Sequence, residues 1–362
     1  MEHNLKKYGW QEKWQKVWNS HNFTMDYIPA RVIADFGNSI QVASDNGIHS
    51  ADTSGRMTYN LEDSQLPKVG DWVAISLHNQ VTTIHHVLER SSYLARRGAG
   101  QKYEEQIMAT NIDLALVIQS MDDDLNINRL KRYLFQLGRS QIRTIIIINK
   151  IDKDIDWRTK VSAIKQAMPN QEIIAIQATD PQSLDKIRTK IPIGASAVVL
   201  GSSGVGKSTI INGLLGIEKQ RTQEVRLDDS KGRHTTTHRE MFVLPNGALL
   251  IDTPGIRELQ LWGTLEEIKD IDSNISEIAT HCRFSNCSHN DEPGCSIRQA
   301  ISDGTLSKAD FESFNKMKNE IEFLNSKLGP EGKRAHKQKQ KNLHKMYKKI
   351  SKEKQADKDL FF

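Results

Sequence analysis

The chain has 362 residues, of which 50 are Lys or Arg and 45 are Asp or Glu, so its formal net charge is +5 at pH 7. This length exceeds that of a typical single core and favours two or three domains. No stretch approaches the roughly 18–20 consecutive apolar residues of a membrane span, and the N-terminus lacks the apolar core of a signal peptide. These features argue against a membrane protein, and we expect a cytoplasmic one.

The first predicted element is an amphipathic helix within residues 1–25. Trp10, Trp14, Val17 and Trp18 recur there at helical spacing and form one apolar face. A face of this kind usually packs on the protein that carries it, and binding of a partner is the alternative.

Residues 26–95 are predicted to form a small β-barrel. Short β-rich runs alternate there with turn formers, as at Asp45-Asn46-Gly47 and in the segment from Pro67 to Asp71. Four or five short strands in this length suit a closed barrel, for which an OB-fold is the first choice.

Residues 105–263 are predicted to form an α/β domain. Apolar strand runs alternate with helical patterns, which is typical of a mainly parallel sheet covered on both faces. The predicted strands are Asp113–Gln119, Thr144–Asn149, Glu172–Gln177, Ser196–Leu200 and Ala248–Ile251.

A glycine-rich loop that matches GxxxxGK[ST] follows one of these strands and precedes a predicted helix. Its backbone N–H groups can wrap phosphates, and the helix N-terminus adds a favourable dipole. Lys207 is expected to reach the β- and γ-phosphates, and Ser208 to ligate Mg²⁺. The nucleotide-binding residues assigned here are Gly201, Ser202, Ser203, Gly204, Val205, Gly206, Lys207, Ser208 and Thr209.

The sequence Asn149-Lys150-Ile151-Asp152 matches the base-reading motif NKxD. The carboxylate of Asp152 can accept hydrogen bonds from N1–H and the exocyclic amine of guanine, and adenine offers neither donor there, so guanine is preferred. Asn149 is expected to approach the opposite edge of the base, and the stem of Lys150 to cover the ring. Gln177-Ala178-Thr179 is a second candidate base-contacting loop, although it departs from the usual Ser-Ala pair.

Two further segments complete the nucleotide motifs. In Asp252-Thr253-Pro254-Gly255, the carboxylate of Asp252 can hold Mg²⁺ through water and the N–H of Gly255 can bond the γ-phosphate. Residues 231–238 form a polar, glycine-containing candidate switch. One of its three threonines is expected to contact Mg²⁺ and the γ-phosphate; we favour Thr236, with Thr235 and Thr237 as alternatives.

The hydrolytic group is less apparent. Ile256 stands where Ras-like enzymes carry a water-orienting glutamine, and an aliphatic side chain cannot orient water. We therefore expect slow intrinsic hydrolysis, completed by another group or by a partner. His234 and His238 are candidates, and contact with another surface or with solvent is the alternative for both.

The order of these motifs is rotated. In a Ras-like chain the phosphate-binding loop comes first and NKxD comes last, whereas here Asp152 precedes Gly201. Such a circular permutation can keep the sheet intact while placing the switch loops next to the following domain. A movement triggered by the γ-phosphate could then pass directly into the C-terminal segment.

Residues 264–330 are predicted to form a helical domain with a metal site. Its four candidate ligands, Cys282, Cys287, His289 and Cys295, fall within fourteen residues and include all three cysteines of the chain. Three thiolates and one imidazole suit a structural tetrahedral Zn²⁺ with no position left open for chemistry. Free buried cysteines with a solvent-exposed histidine are the alternative.

Residues 331–362 form a basic tail. From Lys333 onward there are 11 Lys or Arg residues against three acidic ones. A tail of this kind either solubilises the protein or binds nucleic acid, and a neighbouring OB-fold favours nucleic acid.

Taken in order, NKID, GSSGVGKS, GRHTTTH, DTPG and the Cys/His cluster resemble the ribosome small subunit-dependent GTPase family (RsgA, also called YjeQ or YloQ). The resemblance covers nearly the whole chain. It implies an OB-fold barrel, a circularly permuted P-loop GTPase domain and a C-terminal α-helical zinc-binding domain.

The resemblance also implies a function. The protein would bind the small (30S) ribosomal subunit and its ribosomal RNA, hydrolyse GTP to GDP in late subunit maturation, and check or release assembly factors. Subunit binding would stimulate hydrolysis, with Mg²⁺ accompanying the nucleotide and one structural Zn²⁺. We expect a monomer without a DNA or membrane partner. The alternative is a GTP-regulated RNA-binding switch with a different RNA partner and incidental hydrolysis.

Overall fold

The computed structural model describes residues 4–23, 26–79, 81–97, 105–122, 125–216, 239–252 and 273–326. The chain divides into two compact units. The larger contains Met1–Arg96 and Glu105–Leu259, and the smaller contains Arg97–Glu104 and Gln260–Phe362. In the part of the chain that is described, no helix is both long enough and apolar enough to cross a membrane.

The N-terminal segment forms two short helices, α1 (Asn4–Lys7) and α2 (Glu12–Ser20), where a single amphipathic helix was predicted. The break lies at Gly9, whose φ is +85° and where a Cβ would come within 2.7 Å of the carbonyl oxygen of Gly194. Trp14 is only 4% exposed. The rings of Trp10 and Trp14 lie 4.7 and 6.0 Å from that of Trp72. The apolar face of the N-terminal segment therefore packs on the protein itself.

Five strands then close into a barrel. They pair in the order β1–β2–β3–β5–β4, and β4 returns to β1, which is the closure expected of an OB-fold. Val32, Trp72 and Ile84 fill its interior at 0% exposure. The elements are β1 (Ile28–Asp35), β2 (Ile40–Ser44), β3 (Gly47–Thr53), α3 (Gly55–Asn60), β4 (Trp72–His78) and β5 (Val81–Val87).

A two-stranded sheet of β6 and β7 and then an α/β sheet follow. The parallel strands of the sheet lie in the order β10-β9-β8-β11-β13, and β12 is antiparallel at their edge. The elements are β6 (Tyr93–Arg97), β7 (Glu105–Thr110), β8 (Leu114–Ser120), α4 (Ile127–Arg139), β9 (Arg143–Asn149), α5 (Trp157–Ala167), β10 (Glu172–Ala175), α6 (Pro181–Arg188), β11 (Ser196–Gly201), α7 (Lys207–Leu215), β12 (Arg239–Val243) and β13 (Leu249–Asp252).

The helices cover both faces of this sheet. Alternate residues of β9 belong to two separate apolar cores, because successive side chains of a strand point to opposite faces. The core that includes Ile146 also holds Leu130 of α4 and Ile164 of α5. The core that includes Ile147 holds residues of α6 and α7, among them Ile210. The doubly covered parallel sheet predicted from the sequence is thus confirmed.

Barrel and α/β sheet are joined by backbone pairing. β1 pairs antiparallel with β12 at Ala34–Glu240 and Asp35–Arg239, so hydrogen bonds run continuously through eleven strands. Arg31 of β1 is 2% exposed. Its guanidinium donates to the hydroxyl of Ser196 at 3.1 Å, which fastens the barrel to the start of β11.

The described part of the smaller unit is helical. It contains α8 (Ser273–Thr280), α9 (Ser296–Ser302) and α10 (Lys308–Ser326). Ile275, Ile297, Leu306 and Phe311 form its apolar core together with the buried side chain of Cys295.

Candidate functional site: nucleotide loops and a metal centre

The phosphate-binding loop connects β11 to α7, as predicted. Gly201, Gly204 and Gly206 have φ values of +148°, +86° and +94°. These conformations favour glycine, because a Cβ would be strained there. A Cβ on Gly201 would also lie 2.3 Å from the carbonyl oxygen of Ile118 in β8. The glycines thus let the loop turn sharply over the end of the sheet and start α7 at Lys207.

Asn149 ties the base-reading segment to two other loops. Its Nδ2 donates to the carbonyl oxygen of Val205 in the phosphate-binding loop at 2.8 Å. Its Oδ1 accepts from the backbone N–H of Ala178 at 3.0 Å. Asn149 is 2% exposed. The approach of Asn149 to the edge of the base stays a prediction, and the structure adds a second role, since its amide holds two loops together.

The rest of the base-reading motif lies at the end of β9. Lys150 has a left-handed backbone (φ 60°), which turns the chain into the one-turn helix Ile151–Lys153. Its ammonium donates to Oδ2 of Asp122 at 2.8 Å, so the stem is fixed beside the end of β8. Asp152 is exposed. Asp122 is a positioning partner that the sequence did not reveal, because nothing in its local pattern marks it.

The second candidate base-contacting loop lies next to this motif. Ala178 is held by Asn149, and the side chain of Gln177 donates to the hydroxyl of Thr179 at 3.0 Å. The structure thus brings together three segments, at Asn149, Ala178 and Val205, that are far apart in sequence.

Arg129 and Lys207 both contact the segment around Ser202. The ammonium of Lys207 donates to the carbonyl oxygen of Gly201 at 2.8 Å and also to that of Ser202. Arg129, in the first turn of α4, donates from Nη1 to Oγ of Ser202 at 2.5 Å. Its own backbone N–H is capped by the side chain of Asn126. Sequence reasoning missed Arg129, whose only signal is its place just after β8.

The remaining predicted residues divide into two groups. Ser208 and Thr209 lie in the first turn of α7, and Asp252 is the last residue of β13, which pairs with β11. These positions suit Mg²⁺ ligands at the carboxyl ends of adjacent strands. The predicted switch residues lie outside the described part of the chain; they are His234, Thr235, Thr236, Thr237, His238 and Gly255.

The predicted metal ligands converge in the smaller unit. The ligand atoms of Cys282, Cys287, His289 and Cys295 all lie within 4.8 Å of one another. Nδ1 of His289 is 3.6 Å from Sγ of Cys282 and 3.5 Å from Sγ of Cys295. A tetrahedral zinc with Zn–S of about 2.3 Å and Zn–N of about 2.0–2.1 Å requires a distance of about 3.5–3.6 Å between the sulfur and nitrogen ligand atoms. The cluster therefore fits one zinc ion.

Backbone N–H groups at the start of α9 lower the pKa of one of these thiols. Burial acts to raise the pKa of Cys282, but hydrogen bonds from the backbone N–H groups of Ser296 and Ile297 and from the thiols of Cys287 and Cys295 together outweigh it and lower that pKa. Burial raises the pKa of Cys287 to about 11, and the two neighbouring thiols add to this effect. Metal binding offsets the cost of ionising these thiols, because zinc coordinates thiolates directly.

Two family models match the chain. The model described as RsgA GTPase matches residues 87–262, which include both the base-reading motif and the phosphate-binding loop. A model described as ABC transporter matches residues 184–357. That second match includes the phosphate-binding loop, which P-loop proteins share, but not the base-reading motif at 149–152.

Several curated proteins are similar over most of the chain. The protein named small ribosomal subunit biogenesis GTPase RsgA from Opitutus terrae is 35% identical over 331 residues, covering 88% of this chain and 90% of its own. RsgA 2 of Vibrio vulnificus is 35% identical over 98% of this chain and 97% of its own. RsgA of Leptospira interrogans is 37% identical over 90% of this chain and 91% of its own.

Two solved structures share the fold. YjeQ from Thermotoga maritima superposes with a TM-score of 0.59 at 20% identity, covering 82% of this chain and 98% of that one. YloQ, described as a circularly permuted GTPase, superposes with a TM-score of 0.59 at 22% identity, covering 83% and 97%. Together with the sequence matches and the permuted nucleotide loops, these likenesses establish that the chain belongs to the RsgA GTPase family.

Proposed function

We propose that this GTPase acts in the biogenesis of the small ribosomal subunit. In this proposal it binds the maturing subunit in the cytoplasm, hydrolyses GTP at a late stage, and checks or releases assembly factors. The observation that carries the proposal is that the side chain of Asn149 donates one hydrogen bond to Val205 and accepts another from Ala178, which brings together the loops of the proposed guanine-nucleotide site. The similar proteins named for small-subunit biogenesis supply the partner.

The nucleotide roles within this proposal follow the motifs. Asp152 reads guanine, the loop from Gly201 to Thr209 holds the phosphates, and Lys207 neutralises their charge. Ser208 and Asp252 hold Mg²⁺. From the sequence, Gly255 and Thr236 complete the phosphate and metal contacts, with His234 and His238 as the nearby hydrolytic candidates.

The flanking segments carry the RNA contacts in this proposal. The barrel (26–95) and the zinc-bearing helical segment (264–330), which precede and follow the GTPase domain (105–263) in sequence, touch ribosomal RNA, and the basic tail (331–362) adds electrostatic affinity. Two residues beside the metal ligands support this role. Phe284 is 42% exposed, and the guanidinium of Arg283 lies 5.5 Å from its ring centre, which offers a flat surface for a base beside a cation for phosphate.

GTP hydrolysis measured with and without purified small subunits tests the proposal. We expect slow intrinsic turnover and strong stimulation by small subunits, with co-sedimentation that depends on the bound nucleotide. Large subunits at the same concentration provide the control. If small subunits neither bind nor stimulate the protein, the proposal is wrong, and a GTP-regulated switch on another RNA takes its place.

A further inference from the structure

The parallel sheet reverses its direction of growth between β8 and β11. From β8 the chain proceeds outward through β9 to β10, and it then returns to place β11 on the other side of β8. The connections after β8 and β11 lead to α4 and α7, which lie on opposite faces of the sheet. A crevice opens at the carboxyl ends of two strands at such a reversal point, and ligands bind there in open α/β sheets.

A cation reaches the phosphate-binding loop from each side of this crevice. Lys207 comes from the β11 side and is the familiar lysine of the phosphate-binding loop. Arg129 comes from the β8 side, where α4 begins. The two meet at Ser202, since the guanidinium of Arg129 bonds the hydroxyl of that residue and the ammonium of Lys207 bonds its carbonyl oxygen. A half-buried arginine therefore lies at the rim of the phosphate-binding loop.

The position of Arg129 is held firmly at its base. The backbone N–H of Arg129 donates to Oδ1 of Asn126, the N-terminal cap of α4, at 3.0 Å. The side chain of Gln119 in β8 exchanges hydrogen bonds with the backbone of Asn126. The start of α4 is thus fixed to the end of β8, and rotation of the long side chain of Arg129 can exchange the hydroxyl of Ser202 for a phosphate oxygen.

We propose that Arg129 is a further catalytic residue of this GTPase, which contacts the terminal phosphate of GTP from the side of the crevice opposite Lys207. The inference rests on the phosphate site proposed above and not on the ribosomal partner. A planar guanidinium suits a phosphoryl group because it can donate two parallel hydrogen bonds, and arginines supplied within a GTPase chain stabilise the charge of the transition state. Such a group suits a chain in which Ile256 replaces the water-orienting glutamine.

The step that Arg129 assists is ordinary hydrolysis. The oxygen of water forms a bond to the γ-phosphorus, and the bond from that phosphorus to the bridging oxygen breaks. The electron pair of the broken bond stays on GDP, and both protons of water end on the released phosphate, so that GTP⁴⁻ and H₂O give GDP³⁻ and H₂PO₄⁻. Arg129 would stabilise negative charge on the phosphoryl oxygens while the bridging bond breaks, without transferring a proton.

Single-turnover hydrolysis by the full chain, with enzyme in excess and no ribosomal subunits, tests this role. We expect Arg129→Ala to slow hydrolysis roughly tenfold or more, while the affinities for GTP and GDP change by less than about threefold. Arg129→Lys should recover only part of the rate, because an ammonium lacks the planar pair of donors. Binding of aluminium fluoride with GDP, which mimics the transferring phosphoryl group, should be lost in Arg129→Ala.

Two further variants separate this role from a merely structural one. Ser202→Ala removes the same hydrogen bond between α4 and the loop but keeps the guanidinium of Arg129. A merely structural role for Arg129 would make the two variants equally defective, whereas a catalytic role makes Arg129→Ala the slower of the two. Arg143→Ala removes one exposed cation of the same unit at the opposite end of β9, and it should behave as wild type. Melting temperatures check that each variant is folded.

The proposal is overturned if Arg129→Ala hydrolyses GTP at the wild-type rate, if it loses GDP affinity in proportion to rate, or if Ser202→Ala reproduces its defects. If Arg129→Ala does not fold, Arg129→Lys provides the test. An unchanged hydrolysis rate in Arg129→Lys would also overturn the proposal. If small subunits fail to stimulate the wild-type protein, the ribosomal function is contradicted. The role of Arg129 in intrinsic hydrolysis is not affected by that outcome.

Discussion

Asn149 serves two loops with one side-chain amide. Without it, the carbonyl oxygen of Val205 and the N–H of Ala178 would each lose a partner at a buried site. An unsatisfied buried group costs about 1–3 kcal/mol. We therefore expect the residue to contribute to nucleotide binding by fixing the distance between the base-reading and phosphate-binding segments.

Asp152 determines the choice of base in the proposed site. We predict that Asp152→Asn weakens GTP binding and improves binding of xanthosine triphosphate, because an amide can donate to the O2 atom of xanthine whereas a carboxylate cannot. Competition between the two nucleotides for the purified variant measures the change. Asp156→Asn, an exposed substitution in the next turn, is the matched control. Unchanged GTP affinity in Asp152→Asn would contradict the assignment.

Gly206 allows the close approach of the two nucleotide segments. A Cβ at this position would lie 2.3 Å from Nδ2 of Asn149, and the φ of +94° would strain any other residue. We predict that Gly206→Ala abolishes measurable nucleotide binding while the protein stays folded. Gly138→Ala in α4 is the control, because a Cβ there meets nothing within 4 Å and alanine favours the helix. Nucleotide affinity by fluorescence titration distinguishes the two.

At the scale of elements, a bulge in the barrel directs two consecutive histidines to one face. The register between β4 and β5 shifts at Ala74/Ile75, so His85 and His86 both lie on the face of Ser76. The ring of Tyr27 stacks on His85 at 4.6 Å, and that of Phe23 lies 5.4 Å from His86. The segment that follows α2 is thereby held against the barrel.

This histidine cluster predicts a dependence of stability on pH. Burial lowers the pKa of His85 and of His86, and His78 and His21 respectively lower them further. The unfolded chain therefore binds protons at these sites at a higher pH than the folded chain does, so stability falls as the pH drops below about 6.5. Melting followed by tryptophan fluorescence from about pH 7.5 to about pH 5.5 should show a fall that is smaller in His86→Gln. Identical profiles would contradict this account.

The metal centre organises the described part of the helical unit. Cys295 belongs both to the ligand cluster and to the apolar core, so metal binding and packing reinforce each other. We predict one tightly bound zinc per chain, which Cys282→Ser loses along with part of the helical signal in circular dichroism. Asn286→Ser, which introduces the same residue at an exposed position beside a ligand, should retain both. Full zinc content in Cys282→Ser would overturn the ligand set.

Which elements the sequence could predict depended on their patterning. Apolar runs such as Arg143–Asn149, which was predicted as Thr144–Asn149, were predicted to within two residues. Strand β3, with the sequence GIHSADT, was not, because small and polar residues there carry no strong alternation. The break at Gly9 was also missed, since the contact that requires glycine is made by Gly194, which is remote in sequence.

At the scale of the whole molecule, the candidate site was predictable where a motif is contiguous. The phosphate-binding loop, the base-reading motif and the metal ligands each follow from local spacing, and the structure brings each together. Arg129 and Asp122 were not predictable, because they act on segments that the fold, rather than the sequence, places nearby. The hydrogen bond between Asn149 and Val205 was not predictable for the same reason.

The basic tail belongs to the behaviour of the complete chain. We predict that truncation after Gly332 weakens binding to small-subunit RNA and flattens its dependence on salt, because 11 of the cations that would displace counterions are removed. Filter binding at several salt concentrations measures both effects. GDP affinity is the internal control and should stay unchanged. An unaltered salt slope would reduce the tail to a solubilising segment.

The two residue pairs through which β1 joins β12 also bear on how this protein can diverge in evolution. Backbone hydrogen bonds are indifferent to side-chain identity, so substitutions at the half-buried Glu240 can accumulate while the junction persists. A single inserted or deleted residue in either strand is different, because it would reverse which side chains face the core. We therefore expect related chains to vary at the position of Glu240 and to conserve the length of this seam.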